Sequence, residues 1–244
     1  MTYEKRYDGR DFDETRKVEI KMGVIPRANG SAMFSFGNTK AIAAVYGPRL
    51  MHPQHLQNPE KAVLRCSYDM LSFSVTERKK PGPSRRSSEI SHVIMNALTP
   101  VLQLENFPNA VIDLEIEIIQ ADASTRCAGI NAAALALAHA GIPMTDLISA
   151  VSVGNIGNKI CIDITKEEED YEEDGEKLAT DIPVAFAPRK NRLTLLQLDG
   201  KVKPEVLKKV IEAGNKACMK INEAQKKALR DLKMETELPE EEEK

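Results

Sequence analysis

The chain has 244 residues, 42% of them hydrophobic and 29% charged, with a formal net charge of −3. That is enough apolar sequence for one substantial core, and no apolar run approaches the roughly 20 residues of a membrane helix. The near-neutral total hides segregation: residues 61–91 hold seven cations against three acids, residues 166–176 eight acids against one lysine, and residues 235–244 six acids against one lysine. The opening Met-Thr-Tyr-Glu-Lys-Arg has no apolar signal region, so a cytoplasmic protein without a membrane partner is expected.

Residues 17–22 alternate, with Val18, Ile20 and Met22 on one side and charges on the other, the period of a half-buried strand. Asn29-Gly30 supplies a turn, and residues 32–36 and 40–46 read as two further strands joined at Gly37-Asn38. An antiparallel meander follows from these three. Residues 63–75 are the next extended stretch, with Arg65, Ser67 and Asp69 alternating against Leu64, Cys66 and Tyr68. A charged run and Pro81-Gly-Pro83 then make a loop.

A helix starts at Ser84 or Ser87, either of which can cap it. Its apolar residues Ile90, Val93, Ile94, Ala97, Leu98, Val101 and Leu102 recur at helical spacing, and Pro100 should kink it or start a new turn. Arg85 and Arg86 sit in its first turn, where a helix already carries partial positive charge. An unliganded helix prefers acids there by about 0.3–1 kcal/mol per charge, and the conflict is removed if an anion binds. Arg86 lies four residues before Ile90, so it should run along the buried face and need a partner.

Residues 111–119 alternate cleanly as a strand. Asp122-Ala-Ser-Thr-Arg126 then leads into an alanine-rich helix over 127–140, closed by Gly141 and Pro143. Small faces let backbones approach closely, so this helix should be central. Its mouth repeats the pattern of the first: Thr125 offers a hydroxyl, residues 124–126 offer N–H groups, and Arg126 offers a fork. Two such mouths point to a polyanion site, with phosphate the natural ligand. The competing expectation pairs each arginine with a local acid such as Glu89 or Asp122.

Strands are expected at 147–153 and 159–164, and again at 182–187 and 192–197. A long amphipathic helix should cover 204–232. The acids 167–169 read as a solvated face, while Asp181 stands at the entrance of a strand. Strands, two helices, strands and a helix make an α+β chain. One domain over 1–234 is expected, with 235–244 a disordered acidic tail.

Four cysteines, at 66, 127, 161 and 218, form no CxxC pair, so reduced and mostly buried thiols are expected. The four histidines include no HExxH motif. His52 and His55 share a loop but lack a third ligand. Serine-hydrolase and metalloprotease chemistry therefore has nothing to rest on.

Several motifs fall in a specific order: Tyr7-Asp-Gly-Arg10, Gly30-Ser31 with Gly37-Asn-Thr-Lys40, Tyr46-Gly-Pro48, Leu64-Arg-Cys66, Phe73-Ser-Val-Thr-Glu-Arg-Lys79, Pro81-Gly-Pro-Ser-Arg-Arg86, Ala121-Asp-Ala-Ser-Thr-Arg126 and Asp181-Ile-Pro-Val184. Across residues 7–232 the chain resembles the RNase PH family of phosphorolytic exoribonucleases, and within it the branch found in the archaeal RNA exosome. The resemblance implies the RNase PH-like (ribosomal protein S5 domain 2-like) fold, with two βαβα-type halves, mixed sheets and central helices.

It also implies that Arg86, Thr125 and Arg126, with the Ser124 backbone, bind inorganic phosphate as co-substrate. Asp170 would be the general acid, supported by Asp181, the two carboxylates together able to hold a divalent metal such as Mg or Mn. Arg65, Tyr68 and Arg85 would hold the 3′ end of single-stranded RNA, with Tyr68 stacking on a base. The implied partners are a related non-catalytic RNase PH-like subunit, forming a hexameric ring of three heterodimers, and RNA-binding cap subunits.

Two features depart from the family pattern. Glycine usually stands in the turn before Thr-Arg, whereas this chain has Ala123-Ser124, which makes an unusual backbone angle there less expected. The interval from Asp170 to Asp181 is also longer, through an insertion within residues 172–180 that makes Asp174 a rival to Asp170. Three other arrangements stay open: a homohexameric enzyme trimming transfer-RNA 3′ ends, an RNA-gripping ring subunit without catalysis, and a phosphate-using enzyme acting on small nucleotides.

Overall fold

The computed structural model describes residues 3–237 except 158, 174, 175 and 199. Strands β1 (Val18–Met22), β2 (Gly30–Phe36) and β3 (Thr39–Leu50) form the antiparallel meander expected from their short connecting turns. β3 then pairs antiparallel with β5 (Ala110–Gln120), and β5 pairs parallel with β4 (Val63–Met70). The resulting five-stranded mixed sheet has the order β1-β2-β3-β5-β4. β4 stops short of the expected Val75 because the chain turns at Leu71, whose carbonyl accepts the Ser74 N–H at 2.9 Å.

The second sheet has the order β11-β10-β6-β7, built from β6 (Ser149–Ile156), β7 (Lys159–Ile162), β10 (Ala179–Ala187) and β11 (Arg192–Leu196). Every pairing in it is antiparallel, so only the first sheet is mixed.

Helix α1 (Arg85–Leu98) begins at a reciprocal cap: the Ser87 N–H donates to the Ser84 hydroxyl, and the Ser84 N–H donates to the Ser87 hydroxyl. Of the two outcomes expected at Pro100, a new turn is the one found: the chain continues as a 3-10 turn, Thr99–Val101. Helix α2 (Thr125–His139) is buried along nearly its whole length and packs against β2 and β3 of one sheet and β6 of the other. Its small side chains set that distance. At Gly30 the approach is closest, since a Cβ there would sit 2.3 Å from the Ala140 nitrogen. One apolar core runs through both halves around α2.

Helix α3 (Lys166–Glu169) corrects the expectation of a solvated acidic face. Thr165 and Glu168 cap it reciprocally, and Glu168 is fully buried. The buried Arg6 guanidinium meets both Glu168 oxygens at 2.8 Å, and the Tyr3 hydroxyl donates to the same carboxylate. The insertion that follows carries two short strands, β8 (Glu172–Glu173) and β9 (Glu176–Lys177), paired antiparallel.

The last helix, α4 (Pro204–Glu237), packs on β6 and β10 and runs past the expected end at 232. Pro239 is the first residue in that stretch that opposes helix in the residue before it. The rest of the acidic tail, 238–244, lies outside the described residues. No described helix is long and apolar enough to cross a membrane. The cysteines are free, with Cys127, Cys161 and Cys218 buried and Cys66 half-buried.

Candidate phosphate and RNA site

The mouths of α1 and α2 open onto one cavity of ≈ 590 Å³. Arg86 enters it from α1, Thr125 and Arg126 from α2, and Ser152 and Asp181 from the second sheet. Arg78 and Lys79 close it from the loop after β4, and Lys166 and Glu169 from α3. Five cations thus face three acids, Glu77, Glu169 and Asp181, which makes the walls net positive.

The competing expectation of local ion pairs fails. Among the described residues neither Arg86 nor Arg126 is paired with a carboxylate. Asp122 turns instead to Arg16 (3.4 Å) and to the Lys166 N–H (3.0 Å). Arg86 is exposed rather than laid along the buried face of α1. The Arg126 Nε is buried without a hydrogen-bond partner, a state that costs free energy unless a ligand accepts from it.

The turn at 123–124 also departs from expectation. Ala123 and Ser124 both have φ of 53°, so the chain takes the left-handed path without glycine. No side chain caps the start of α2, which leaves its first N–H groups free of a side-chain acceptor. Ser124 contributes backbone to the cavity, but its hydroxyl donates away from it, to Asp163 Oδ1 at 3.0 Å.

Of the proposed acids, the structure brings Asp181 to the cavity wall, where the Ser152 hydroxyl donates to it. Asp170 is not brought there. It caps the C-terminus of α3, is 56% exposed and accepts from Lys166 Nζ at 2.8 Å, because the helical i, i+4 spacing carries it to Lys166 instead. Asp174 lies outside the described residues. Among the described residues no group of three or more His, Cys, Asp and Glu is placed to hold a metal ion.

Tyr68 is corrected as well. It lies on the core face of β4 with Leu64, only 2% exposed, so its ring has no free face for a base. Its hydroxyl is buried without a well-formed hydrogen bond, beside Thr125, Arg86 and Arg126, and burial pushes the phenol up to about 12. Arg65 sits in a separate recess with Tyr46, Arg49 and Ser67. Its Nε donates to Asp113 at 2.6 Å, and Arg49 grips the same carboxylate. Burial alone would raise the Asp113 carboxyl, but Arg65 and Arg49 outweigh it and hold it low. Arg85 is exposed at the first position of α1, outside the cavity wall.

Arg16, Asp163, Ser152 and Lys166 were not singled out by sequence reasoning. Arg16, Asp163 and Ser152 lie far along the chain from the groups they touch, so neither spacing nor periodicity carries a signal for them, whereas the i, i+4 spacing of Lys166 and Asp170 was a signal that could have been read.

Fold and cavity together define an RNase PH-like domain, with two sheets sharing a central helix and a net-positive cavity at its mouth. The model of the 3′ exoribonuclease family matches in two parts, domain 1 over residues 14–143 and domain 2 over residues 146–217. The exosome complex component Rrp41 of Pyrococcus furiosus is 51% identical, over 93% of this chain and 88% of its own length. The crystal structure of rice Rrp46 superposes with a TM-score of 0.79 at 25% identity, covering 91% of this chain and 98% of the other. A structure described as the Archaeoglobus fulgidus exosome with RNA bound to the active site shares the fold, with a TM-score of 0.76 at 22% identity over 91% and 92% of the two chains. The chain belongs to the RNase PH family of 3′ exoribonucleases.

Proposed function

We propose that this chain is the phosphorolytic subunit of an archaeal exosome, removing nucleotides from RNA 3′ ends. The observation that carries the reading is the convergence of Arg86 and Arg126, neither paired with a described carboxylate, on one cavity at the mouth of α2. Inorganic phosphate sits between these two forks, the Thr125 hydroxyl and the first N–H groups of α2. One of its oxygens attacks the last phosphodiester phosphorus in line, and the bond to the 3′ oxygen of the preceding nucleotide breaks. Asp181 gives that oxygen its proton, so the products are a nucleoside diphosphate and RNA one residue shorter. The arginines neutralise charge on the equatorial oxygens, and positioning supplies most of the rate.

Phosphorolysis nearly conserves bond energy, so an excess of nucleoside diphosphate drives the reverse addition of 3′ tails. RNA approaches past exposed Arg65 and Arg85, whose contacts to its backbone are sequence-independent. The relationship to an exosome complex component supports a multi-subunit assembly; on this reading the chain joins a related non-catalytic subunit in a hexameric ring of three heterodimers, capped by RNA-binding subunits.

The test uses an oligoadenylate labelled at its 5′ end, with and without phosphate and with and without the ring partner. A phosphate-dependent ladder with release of nucleoside diphosphates is expected, strengthened by the partner. Binding without shortening in every mixture would refute catalysis. Full activity of the chain alone would instead support a self-sufficient trimming enzyme.

A further inference from the structure

Phosphate binding on this reading depends on a turn that L-residues avoid. Ala123 and Ser124 both take left-handed φ, where Cβ crowds the following carbonyl oxygen. Something other than glycine must hold them there. We infer that Asp163, acting through the Ser124 hydroxyl, is a positioning residue for phosphate: it locks the left-handed turn from which the first N–H groups of α2 and Arg126 face the cavity. The inference rests on the phosphate site proposed above and adds the device that sets its geometry.

Asp163 is fully buried and is itself left-handed, with φ of 54°. One carboxylate oxygen accepts from Ser124 Oγ at 3.0 Å and from an Arg16 terminal nitrogen at 2.7 Å. The other accepts from the Arg16 backbone N–H at 2.8 Å and from Arg16 Nε at 2.9 Å. Arg16 also reaches past Asp163 to the turn, donating to the Asp122 carbonyl at 2.7 Å. Thr39 supports the same turn from β3, accepting from the Asp122 N–H and facing the carbonyls of Asp122 and Ala123 at 2.8 Å. The one proton of the Ser124 hydroxyl goes to Asp163, with the Ile164 carbonyl a longer second acceptor at 3.3 Å, so the hydroxyl does not donate to a ligand and its function is to fix the backbone.

Replacing Asp163 would leave Arg16 buried without its partner and endanger the fold, so the test is made on Ser124 in the full-length chain. Ser124→Ala removes the anchor and keeps the penalty on left-handed φ. Ser124→Gly removes the anchor and the penalty together. Inorganic phosphate is titrated into each by calorimetry, and the KM for phosphate and for oligoadenylate is measured in parallel. The expected order is wild type tightest, Gly next and Ala weakest. Ser124→Ala should weaken phosphate by about tenfold, with the KM for RNA unchanged.

Equal weakening by Ala and Gly would overturn the inference, because a hydroxyl that touches phosphate directly is lost equally in both. So would no weakening in either, or no phosphate binding by the wild type. If the wild type binds phosphate but releases no nucleoside diphosphate, the phosphorolytic reading fails. The order of the three affinities then still decides the role of Asp163 and Ser124.

Discussion

Removing the Glu168 carboxylate should unlatch the N-terminal segment from α3 and destabilise the whole chain. Arg6 and Glu168 are both fully buried at their side chains and meet through two 2.8 Å bonds. Arg6 also donates to the carbonyls of Ile162 (2.7 Å) and Asp163 (2.9 Å), so it cannot swing to water without abandoning β7. Glu168→Ala therefore strands a buried guanidinium, a loss of about 3–5 kcal/mol. At roughly 2–4 °C per kcal/mol for a chain of this size, the melting temperature should fall by about 6–20 °C. Arg6→Met should cost a similar amount, since it strands Glu168. The double variant Arg6→Met, Glu168→Ala should lose less than the sum by about 0.5–3 kcal/mol, because each single change leaves the other charge unpaired. Calorimetric or fluorescence melting of the four proteins measures this. A Glu168→Ala melting point within about 2 °C of wild type, or strictly additive single losses, would refute the argument.

Stability should also fall in acid. Burial alone would raise the Glu168 carboxyl from its ordinary 4.5, but bonds from Arg6 and Tyr3 outweigh burial and lower it. Its contribution is thus complete above the unfolded value and lost as pH drops through the lower folded one; melting curves from pH 7 downward should show a slope that is shallower in Glu168→Ala, where Asp113 and Asp8 still contribute. Arg86→Ala removes a charge-assisted bond of about 1.5–3 kcal/mol, so the KM for phosphate should rise by about 10–100-fold while RNA binding changes little, and an unchanged phosphate dependence would sink the assignment. Asp181→Asn should lower the rate of nucleoside diphosphate release by about 10²–10⁴ without weakening RNA binding, whereas Asp170→Asn should have a small effect; the opposite order in single-turnover assays would return the acid's role to Asp170. Gly30→Ala forces a Cβ to within 2.4 Å of two backbone atoms, the Ala136 oxygen in α2 and the Ala140 nitrogen just past its end, and should cost about 1–3 kcal/mol or more, read as a lowered melting temperature.

Local chemistry was legible in the residues themselves. Alternation drew β1, β4 and β5, and the mismatch of Arg86 with its own helix end pointed to the mouth where it meets Arg126. The alanine run announced a central helix, because only small side chains allow contact on every side. Alternation along β4 put Tyr68 on the same side as Leu64, and the structure buries that side, against the stacking role that the family resemblance suggested. These features arise from neighbours within a few residues, where backbone geometry and side-chain period act directly.

What tertiary structure decided was which distant groups meet. Glu168 looked like one acid in a solvated run, and only Arg6, some 160 residues away, makes it a buried anchor. Asp170 and Asp181 looked like partners in one reaction, yet α3 turns the first toward Lys166 while β10 delivers the second to the cavity. The left-handed turn at Ala123-Ser124 ran against local preference, because Thr39, Arg16 and Asp163 supply from elsewhere in the chain the bonds that hold it. Long-range ion pairs and hydrogen bonds leave no period in a sequence, since their partners are set by how the sheets and helices pack rather than by spacing along the chain.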